Sequence, residues 1–429
     1  MSAVPSSRLQ AGAPAVARAG AAVGVIPEAS QRWFNLAGAW AAWQFDAVAA
    51  GLFAFALPQI ARDFQVPLAT AAGVVSAYLL ATGLGGLVLG RLGDRIGRKN
   101  VILLSLMAFG VFNGLVGYVH TLWLVGLLRA AVGFTVGGLW SAAASLVSET
   151  WPSRHRATAV AAMQTGWSAG SLLAALFAFT LLPRLGWQGL FATAAMPALA
   201  VMLYTTFFVT ESPLWLRQRL EGGASGNGSS WTQVFAPAHR RTTVLGLLVS
   251  ACGMYGFWIL TTFLPSYLDA TLNVGMARSA TFLVWLGVGG ITGYLSFGLL
   301  ADRFGRRRTF LGFFLGMALM VPLYTWLVSR WGVTFLAPAT FALGYFTGYF
   351  SGYGAWFAEL FPTSLRSTAS GFCFNGGRAV AAVGPIVVAR LVPLVGFNLA
   401  IGTAAVGYAL AALVVLGLRE TRGQELGLD

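Results

Sequence analysis

Long apolar stretches constrain this chain of 429 residues more than any other feature of its sequence. An apolar run of about 18 residues or more is long enough to cross the hydrocarbon core of a bilayer as an α-helix. We predict twelve such spans, near 33–61, 71–90, 101–119, 121–148, 158–182, 187–209, 243–267, 278–300, 309–328, 333–358, 367–391 and 396–418. The sequence therefore predicts an all-α membrane protein.

The composition and the placement of charge agree with this prediction. Hydrophobic residues make up 57% of the chain and charged residues only 9%, whereas a soluble domain carries about 25% charge. The net charge of +14 comes almost entirely from arginines that are spread over many loops, so it does not indicate nucleic acid binding. Most of these arginines fall on one set of loops, and the positive-inside rule then predicts that both termini are cytoplasmic.

The polar segments divide the chain into parts. Residues 1–30 are rich in Ala, Gly, Pro and Ser and are predicted to form a disordered cytoplasmic tail. We then expect a first six-helix bundle at 31–209, a flexible Gly/Ser-rich cytoplasmic linker at 210–242, a second six-helix bundle at 243–418 and a short cytoplasmic tail at 419–429. Cys252 and Cys373 lie inside predicted spans, so we expect no disulfide, no metal site and no cofactor.

Two polar motifs occur twice, in the same order and at nearly the same spacing. "GRLGDRIGRKN" at 90–100 returns as "GLLADRFGRRR" at 298–308, and "ETWPSRHRAT" at 149–158 returns as "ELFPTSLRST" at 359–368. An even number of spans in each half preserves the orientation of the helices. The two halves are therefore predicted to be parallel structural repeats.

The repeated hinge G-x-x-x-D-R-x-G-R-[KR], the six-plus-six arrangement and the central loop resemble the major facilitator superfamily of transporters. The resemblance covers 33–420 and implies two six-helix bundles around a central cavity that opens alternately to either side of the membrane. It implies a monomer in the bilayer, here the cytoplasmic (inner) membrane of a bacterium.

The resemblance also implies a role for the repeated charges. In this family such residues form salt bridges that close the cytoplasmic side, and we expect the first-half residues to pair with one another and the second-half residues likewise. Fixing membrane topology is the simpler interpretation of the same charges. The predicted gating residues are Asp94, Arg95, Arg98, Glu149 and Arg156 in the first half, and Asp302, Arg303, Arg306, Glu359 and Arg366 in the second.

Three charged residues stand out well inside the spans and have no counterpart in the other half: Asp46, Arg129 and Arg378. A charge at such a depth is costly unless it faces a cavity or a partner, so it indicates function. We predict that Asp46 exchanges a proton and that Arg378 binds an anion, because its guanidinium matches a carboxylate at two points. Arg129 fits an R-x-x-x-G pattern that the resemblance links to proton coupling.

Polar and aromatic side chains in the spans are further candidates for the substrate cavity. "LGYFTGYFSGYGAW" at 343–356 repeats glycine and tyrosine every four residues, which places the tyrosines on one helix face. That face can line the cavity or pack against a neighbouring helix. The predicted substrate residues besides Arg378 are Asn375, Gln164, Trp167, Tyr345, Tyr349 and Tyr255, with Tyr78 and Trp258 as weaker candidates.

The motifs "SETWPSRHRATAVAAMQTGWSAG", "GWQGLF" and "ESPLWLRQR" are similar to those of the metabolite:proton symporters, which include sialate, lactate and aromatic-acid transporters. The acid symporters usually carry two aspartates three residues apart in span 1, but Ala49 stands at the second place. The sequence predicts proton-coupled uptake of a small organic anion, such as a mono- or aromatic carboxylate, and no enzymatic activity. A sugar or polyol symporter and a drug:proton antiporter are the alternatives.

Overall fold

A computed structural model describes residues 28–221, 231–272 and 276–426. Residues 1–27 of the predicted tail (1–30), residues 222–230 of the predicted linker, residues 273–275 and the last residues, 427–429, lie outside the described residues. The described chain is built from α-helices joined by short turns and 3-10 segments, as the sequence predicts for its fold class.

The first half contains the helices up to the linker. Helix α1 starts at Glu28, three residues before the predicted domain boundary. A 3-10 turn, Ser153–His155, precedes α5. The helices of this half are α1 (Glu28–Asp63), α2 (Leu68–Ile96), α3 (Arg98–Val116), α4 (Leu122–Thr150), α5 (Arg156–Gln164) and α6 (Gly166–Phe208).

The second half follows a short helix, α7 (Pro213–Glu221), and a 3-10 segment, Trp231–Phe235. Two further 3-10 segments, Gly332–Phe335 and Thr347–Tyr349, flank α11. The helices of this half are α8 (Pro237–Leu272), α9 (Met276–Phe304), α10 (Arg306–Trp331), α11 (Leu336–Phe346), α12 (Phe350–Leu360), α13 (Arg366–Ala381) and α14 (Val383–Val415).

Nine stretches within the described residues are long and apolar enough to cross a membrane. Three of them, Ser153–Phe208, Arg306–Leu360 and Arg366–Val415, are 50 to 56 residues long, whereas one crossing needs about 20. Left-handed glycines interrupt the first and the last of these, at Gly186 in α6 and Gly396 in α14. Each long stretch therefore has the length for two crossings, and the prediction of twelve spans stays compatible with nine stretches.

The repeated hinge has the same backbone in both halves. Gly97 separates α2 from α3 with φ of 103°, and Gly305 separates α9 from α10 with φ of 101°. This region of φ is open to glycine and costly for residues with a Cβ. The two hinge glycines thus turn the chain between successive helices at equivalent places.

The segment between the halves is more ordered than a flexible linker would be. Residues Pro213–Glu221 form α7, and Trp215 on this helix is buried. The Trp215 indole donates a hydrogen bond of 2.8 Å to the carbonyl oxygen of Asp94. Within the predicted linker of 210–242, this helix is therefore anchored to the first hinge by one large apolar side chain, and the flexibility of the linker stays a prediction.

Small residues bring the two halves into close contact. Helix α2 packs against α13, and α9 packs against α5. A Cβ on Gly90 would lie 2.7 Å from the carbonyl oxygen of Ser367, and a Cβ on Gly298 would lie 2.8 Å from the Cα of Thr158. The halves therefore meet through backbone-to-backbone contacts, as small-residue motifs allow in membranes.

Candidate functional site

The two unrepeated charges Asp46 and Arg378 meet across the halves. Asp46 lies on α1 and Arg378 on α13, and Arg378 Nη1 is 2.9 Å from Asp46 Oδ2. The two residues are 1% and 4% exposed. Removal of one partner from such a buried pair leaves an uncompensated charge and costs about 3–5 kcal/mol. The pair therefore ties the two halves together inside the protein.

Asp46 has a second partner within its own half. The Tyr78 hydroxyl on α2 donates a hydrogen bond of 2.5 Å to Asp46 Oδ1. The Arg129 guanidinium on α4 lies over the Tyr78 ring, 4.7 Å from its centroid, and Arg129 Nη2 donates to the carbonyl oxygen of Ala49 at 2.9 Å. Asp46, Tyr78 and Arg129 thus form one polar cluster in the first half.

Arg129 is a buried cation with few polar contacts. Its side chain is 1% exposed, and its Nε and Nη1 atoms have no hydrogen-bond partner among the described residues. The rings of Phe53 and Phe191, together with Tyr78, surround its guanidinium. Aromatic faces stabilise a cation but less than a carboxylate does. These rings therefore do not neutralise Arg129, and its positive charge acts on Asp46 and Tyr78.

A small cavity lies next to the Asp46–Arg378 pair, and residues from both halves line it. Its volume of about 20 Å³ is enough for about one water molecule, so an organic substrate requires the cavity to widen. Among the described residues of its lining, Arg378 is the one that carries a charge, and the others are mostly aromatic. The lining residues are Trp43, Gln164, Trp167, Met254, Phe257, Trp258, Tyr294, Phe350, Phe374 and Arg378.

Three of the predicted substrate residues line this central cavity: Arg378, Gln164 and Trp167. The Arg378 guanidinium carbon is 5.7 Å from the Trp167 ring and 5.6 Å from the Phe374 ring. Gln164 accepts a hydrogen bond of 3.2 Å from the Trp140 indole, which fixes the amide orientation. Trp258, a weaker candidate, also lines the cavity.

The other predicted substrate residues lie elsewhere. Asn375 donates a hydrogen bond of 2.8 Å to the carbonyl oxygen of Gly137 and sits where α13 packs on α2. Tyr349 bonds the carbonyl oxygen of Gly253 at 2.8 Å. Tyr345 stacks on Phe313, and Tyr255 is 3.4 Å from the Thr403 hydroxyl. These four residues pack between helices in this structure, away from the cavity lining, and their role towards a substrate stays a prediction.

Sequence reasoning missed several of the aromatic residues that line the cavity. Trp43 lies three residues before Asp46 on the same helix, and Phe374 lies four residues before Arg378. Residues three or four apart share a helix face, so this spacing was the available signal. The tyrosines repeated within 343–356 were the more conspicuous pattern, but they adjoin a glycine face that packs against neighbouring helices.

The repeated charges form two hydrogen-bonded sets at one end of the bundle, one around Glu149 and one around Glu359, and we name the two sets together the hinge network. Glu149 accepts from Arg98 at 3.0 Å and from Arg366 at 2.6 Å. Glu359 accepts from Arg306 at 2.7 Å and from Arg156 at 2.9 Å. The network consists of Asp94, Arg98, Glu149, Arg156, Asp302, Arg306, Glu359 and Arg366.

The hinge aspartates also bond across the halves. Asp94 accepts from the backbone amides of Ser367 and Thr368, at 3.1 and 2.9 Å, at the start of α13. Asp302 accepts from the amides of Ala157 and Thr158, at 3.2 and 2.9 Å, at the start of α5. A carboxylate is favoured at a helix N-terminus. Each hinge therefore caps a helix of the opposite half.

Two details of the predicted gating pairs were wrong. Arg156 pairs with Glu359 and Arg366 pairs with Glu149, so each of these ion pairs crosses between the halves instead of staying within one. Arg95 and Arg303 are exposed, and within the described chain neither forms an ion pair. Their side chains point away from the network because they lie on the outer face of α2 and α9.

The end of the second half adds contacts to the hinge network. The Thr421 hydroxyl donates to Glu359 at 2.5 Å, and Arg156 donates to the carbonyl oxygen of Gln424 at 2.9 Å. The Ser153 hydroxyl donates to Glu425 at 2.6 Å. Residues 421–425 thus connect to both halves, a contact that no sequence motif predicted.

Two further glutamates repeat the symmetry of the hinges. Glu211 accepts from the backbone amide of Arg98 at 2.9 Å, and Glu420 accepts from that of Arg306 at 2.8 Å. Each caps the helix that follows a hinge glycine. Burial raises the pKa of Glu211, and its hydrogen bonds from backbone amides oppose that shift.

Two helical halves that meet at a buried ion pair beside a cavity, closed at one end by a repeated charge network, define a membrane carrier. Comparison with known proteins gives the family. The Major Facilitator Superfamily model matches residues 44–296 and 272–427, and the chain belongs to this superfamily. It is accordingly an integral inner-membrane transporter and not an enzyme.

The similar proteins are transporters. A Haemophilus influenzae protein, named only as a metabolite transport protein, is 30% identical over 92% of this chain and 98% of its own length. The cis,cis-muconate transport protein of Acinetobacter baylyi is 28% identical over 83% of this chain and 86% of its own. The proton:xylose symporter XylE shares the fold with a TM-score of 0.77, at 17% identity over 93% and 98% of the two chains.

Proposed function

We propose that this protein couples the uptake of a small organic anion to the uptake of a proton by alternating access. The observation that carries the proposal is the Asp46–Arg378 ion pair, 2.9 Å long, beside the central cavity. The Asp46 carboxylate and the Arg378 guanidinium neutralise each other. The pair can separate when a proton binds the carboxylate or when an anion binds the guanidinium. That exchange is what coupling of a proton to an anion requires.

The coupling follows from competition for Arg378. In this structure the Asp46 carboxylate occupies Nη1 of the guanidinium. A substrate carboxylate needs the same guanidinium, because Arg378 is the one cation among the described residues that line the cavity. A proton on Asp46 removes its negative charge and frees Arg378. Protonation therefore strengthens substrate binding, and by linkage the bound substrate raises proton affinity by the same factor.

Charge balance supports a stoichiometry of one proton for each substrate anion. A membrane potential of 100 mV, negative inside, opposes entry of one negative charge by about 2.3 kcal/mol. One proton that moves with one monoanion removes this cost, because the pair carries no net charge. Within the described part of the chain, Asp46 is the one carboxylate that pairs with Arg378, so we propose one proton for each monovalent substrate.

The lining favours a flat organic acid. Trp167 and Phe374 present aromatic rings to the Arg378 guanidinium, and Trp43 lines the same cavity. Such rings stack on conjugated or aromatic groups. The named substrate of the Acinetobacter relative, cis,cis-muconate, is an organic acid anion. We therefore propose an aromatic or conjugated carboxylate as the substrate class.

Transport in membrane vesicles tests the proposal. Purified protein in vesicles with an inward proton gradient should accumulate labelled benzoate or labelled cis,cis-muconate, and a proton-conducting uncoupler should abolish the accumulation. Vesicles without the protein supply the control for passive entry of the protonated acid. Gradient-driven uptake of xylose, or efflux of an organic cation without any carboxylate transport, would contradict the proposal.

The hinge network supplies the closed side of the alternating-access cycle. We expect Glu359→Gln to open it, because the side chain then loses its charge towards Arg156 and Arg306. The reporter is Ser367→Cys, between the halves, in a variant that lacks Cys252 and Cys373. With Glu359→Gln this cysteine should react with a charged thiol reagent at least about tenfold faster than with the intact network. A tenfold change corresponds to a loss of about 1.4 kcal/mol in the stability of the closed state.

The matched control for this prediction is Asp63→Asn at the other end of α1. Asp63 accepts a hydrogen bond of 2.7 Å from the Trp187 indole and takes no part in the hinge network. Its replacement should leave the labelling rate of the reporter unchanged. Equal labelling in the Glu359→Gln variant and in the protein with an intact network would contradict the gating role.

A further inference from the structure

We propose that Tyr78 is a positioning residue of the proton site, which orients the Asp46 carboxylate so that Arg378 and the proton compete for one oxygen atom. This inference rests on the proposed function and adds a residue to it. Tyr78 is 2% exposed and lies on α2, next to Asp46 on α1. Tyr78 is only a weak candidate from the sequence, because a tyrosine in an apolar helix is common.

The two carboxylate oxygens of Asp46 have different partners. Oδ1 accepts from the Tyr78 hydroxyl at 2.5 Å, and Oδ2 faces Arg378 Nη1 at 2.9 Å. Tyr78 belongs to the same half as Asp46, whereas Arg378 belongs to the other. The hydroxyl therefore holds the carboxylate by one oxygen and leaves the other oxygen for the partner that changes during transport.

The Tyr78 ring links this carboxylate to the second buried cation. Arg129 stands over the ring, with its guanidinium carbon 4.7 Å from the centroid. A cation on the face of a phenol attracts electron density and makes its hydroxyl a stronger donor. The charged and titratable groups recorded around Asp46 are then Tyr78 from α2, Arg129 from α4 and Arg378 from α13.

The proton step can be written for named atoms. A proton binds Oδ2 of Asp46, the ion pair with Arg378 Nη1 breaks, and the guanidinium donates its hydrogen bonds to the substrate carboxylate instead. In this proposal the Tyr78 O–H stays a donor to Oδ1 throughout, and the transferred proton is the one on Oδ2. When the proton leaves Oδ2 after the change of access, the Asp46 carboxylate reclaims Arg378 and displaces the substrate.

Removal of the hydroxyl tests this role. A hydrogen bond to the ionised carboxylate favours that form, so Tyr78→Phe should let Asp46 hold its proton at higher pH. We expect the midpoint of proton-driven benzoate uptake to move up by about one pH unit. The maximal rate at saturating proton concentration should change far less than this midpoint does.

A matched control is Tyr353→Phe. The Tyr353 hydroxyl is also buried, and it donates to the carbonyl oxygen of Val249 at 3.2 Å, away from the charged cluster. This variant loses the same group and should keep the pH midpoint of the original protein. Equal midpoints in Tyr78→Phe and Tyr353→Phe would overturn the inference.

A second variant keeps the packing and reverses the expected sign. Replacement of Tyr78 by 3-fluorotyrosine gives a stronger hydroxyl donor in nearly the same shape, so the midpoint should move to lower pH. A shift in the same direction as Tyr78→Phe would overturn the inference. The proposed function is tested separately by Asp46→Asn. Unchanged proton-driven accumulation in that variant would leave Asp46 without a proton role, whereas failure of the Tyr78 predictions alone would not.

Discussion

Replacement of Arg378 by alanine is expected to abolish uptake of organic acids at every pH. Arg378 is the one charged residue that lines the central cavity, and a carboxylate bound there without it would lose charge-assisted hydrogen bonds. Such a loss is worth about 3 kcal/mol or more, which corresponds to about 100-fold or more in affinity. The measurement is initial uptake of labelled benzoate and labelled cis,cis-muconate into vesicles from acidic to mildly alkaline pH.

The Arg378→Ala variant alone also leaves Asp46 buried without its cation. A double variant, Asp46→Ala with Arg378→Ala, removes both charges and relieves that cost. We expect the double variant to recover thermal stability and to remain inactive. Recovery of uptake together with stability would show that Arg378 only balances Asp46, and the anion-binding role would be wrong.

Lysine at the same position separates charge from shape. Arg378→Lys keeps a cation but loses the planar guanidinium that contacts a carboxylate at two points. The expected result is weak uptake with a higher KM, because the ammonium group reaches the carboxylate as a single point charge. Full activity of the lysine variant would contradict the two-point contact while it would leave the need for a cation intact.

The sequence predicted the unusual charges of the site better than their neighbours. Asp46 and Arg378 stood out because a charge within an apolar span needs a partner or a cavity, and the structure places them 2.9 Å apart. Tyr78 gave no such signal, since a tyrosine in an apolar helix is ordinary. Its importance depends on a contact between α1 and α2 that no spacing along the chain contains.

The repeat predicted the hinges but not the partners of all their charges. The motif at 149–158 resembles the motif at 359–368 so closely that Glu149 and Glu359 are equivalent in sequence. Arg156 therefore had two equally suitable carboxylates, and the structure pairs it with the one in the other half. In a chain built from parallel repeats, only the docking of the two halves decides between partners within and across them.

The tyrosines of α11, the adjacent 3-10 turn and α12 show a similar limit. Their four-residue spacing predicts one face, but a face can meet a cavity or another helix with the same pattern. Tyr349 and Tyr353 donate to backbone carbonyl oxygens of α8, so this face packs. The aromatic lining comes instead from residues near each lone charge, such as Trp43 and Phe374.

Replacement of Asp46 by asparagine should separate the proton from the substrate. The amide has nearly the same shape, its oxygen can still accept from Tyr78, and it leaves Arg378 free for an anion. We expect uptake to lose its stimulation by an inward proton gradient, with accumulation falling to about the passive level. Exchange of labelled for unlabelled benzoate across the vesicle membrane should persist, because that process needs Arg378 and no change of charge on residue 46.

The contrast between the two variants carries more weight than either alone. Arg378→Ala should lose exchange and gradient-driven uptake together, whereas Asp46→Asn should lose only the second. Competition between the Asp46 carboxylate and the substrate for one guanidinium predicts this split, since neutral asparagine cannot displace a bound anion. Proton-driven accumulation by Asp46→Asn equal to that of the unaltered protein would place the coupling carboxylate elsewhere, and Arg378 would then bind the substrate without a link to pH.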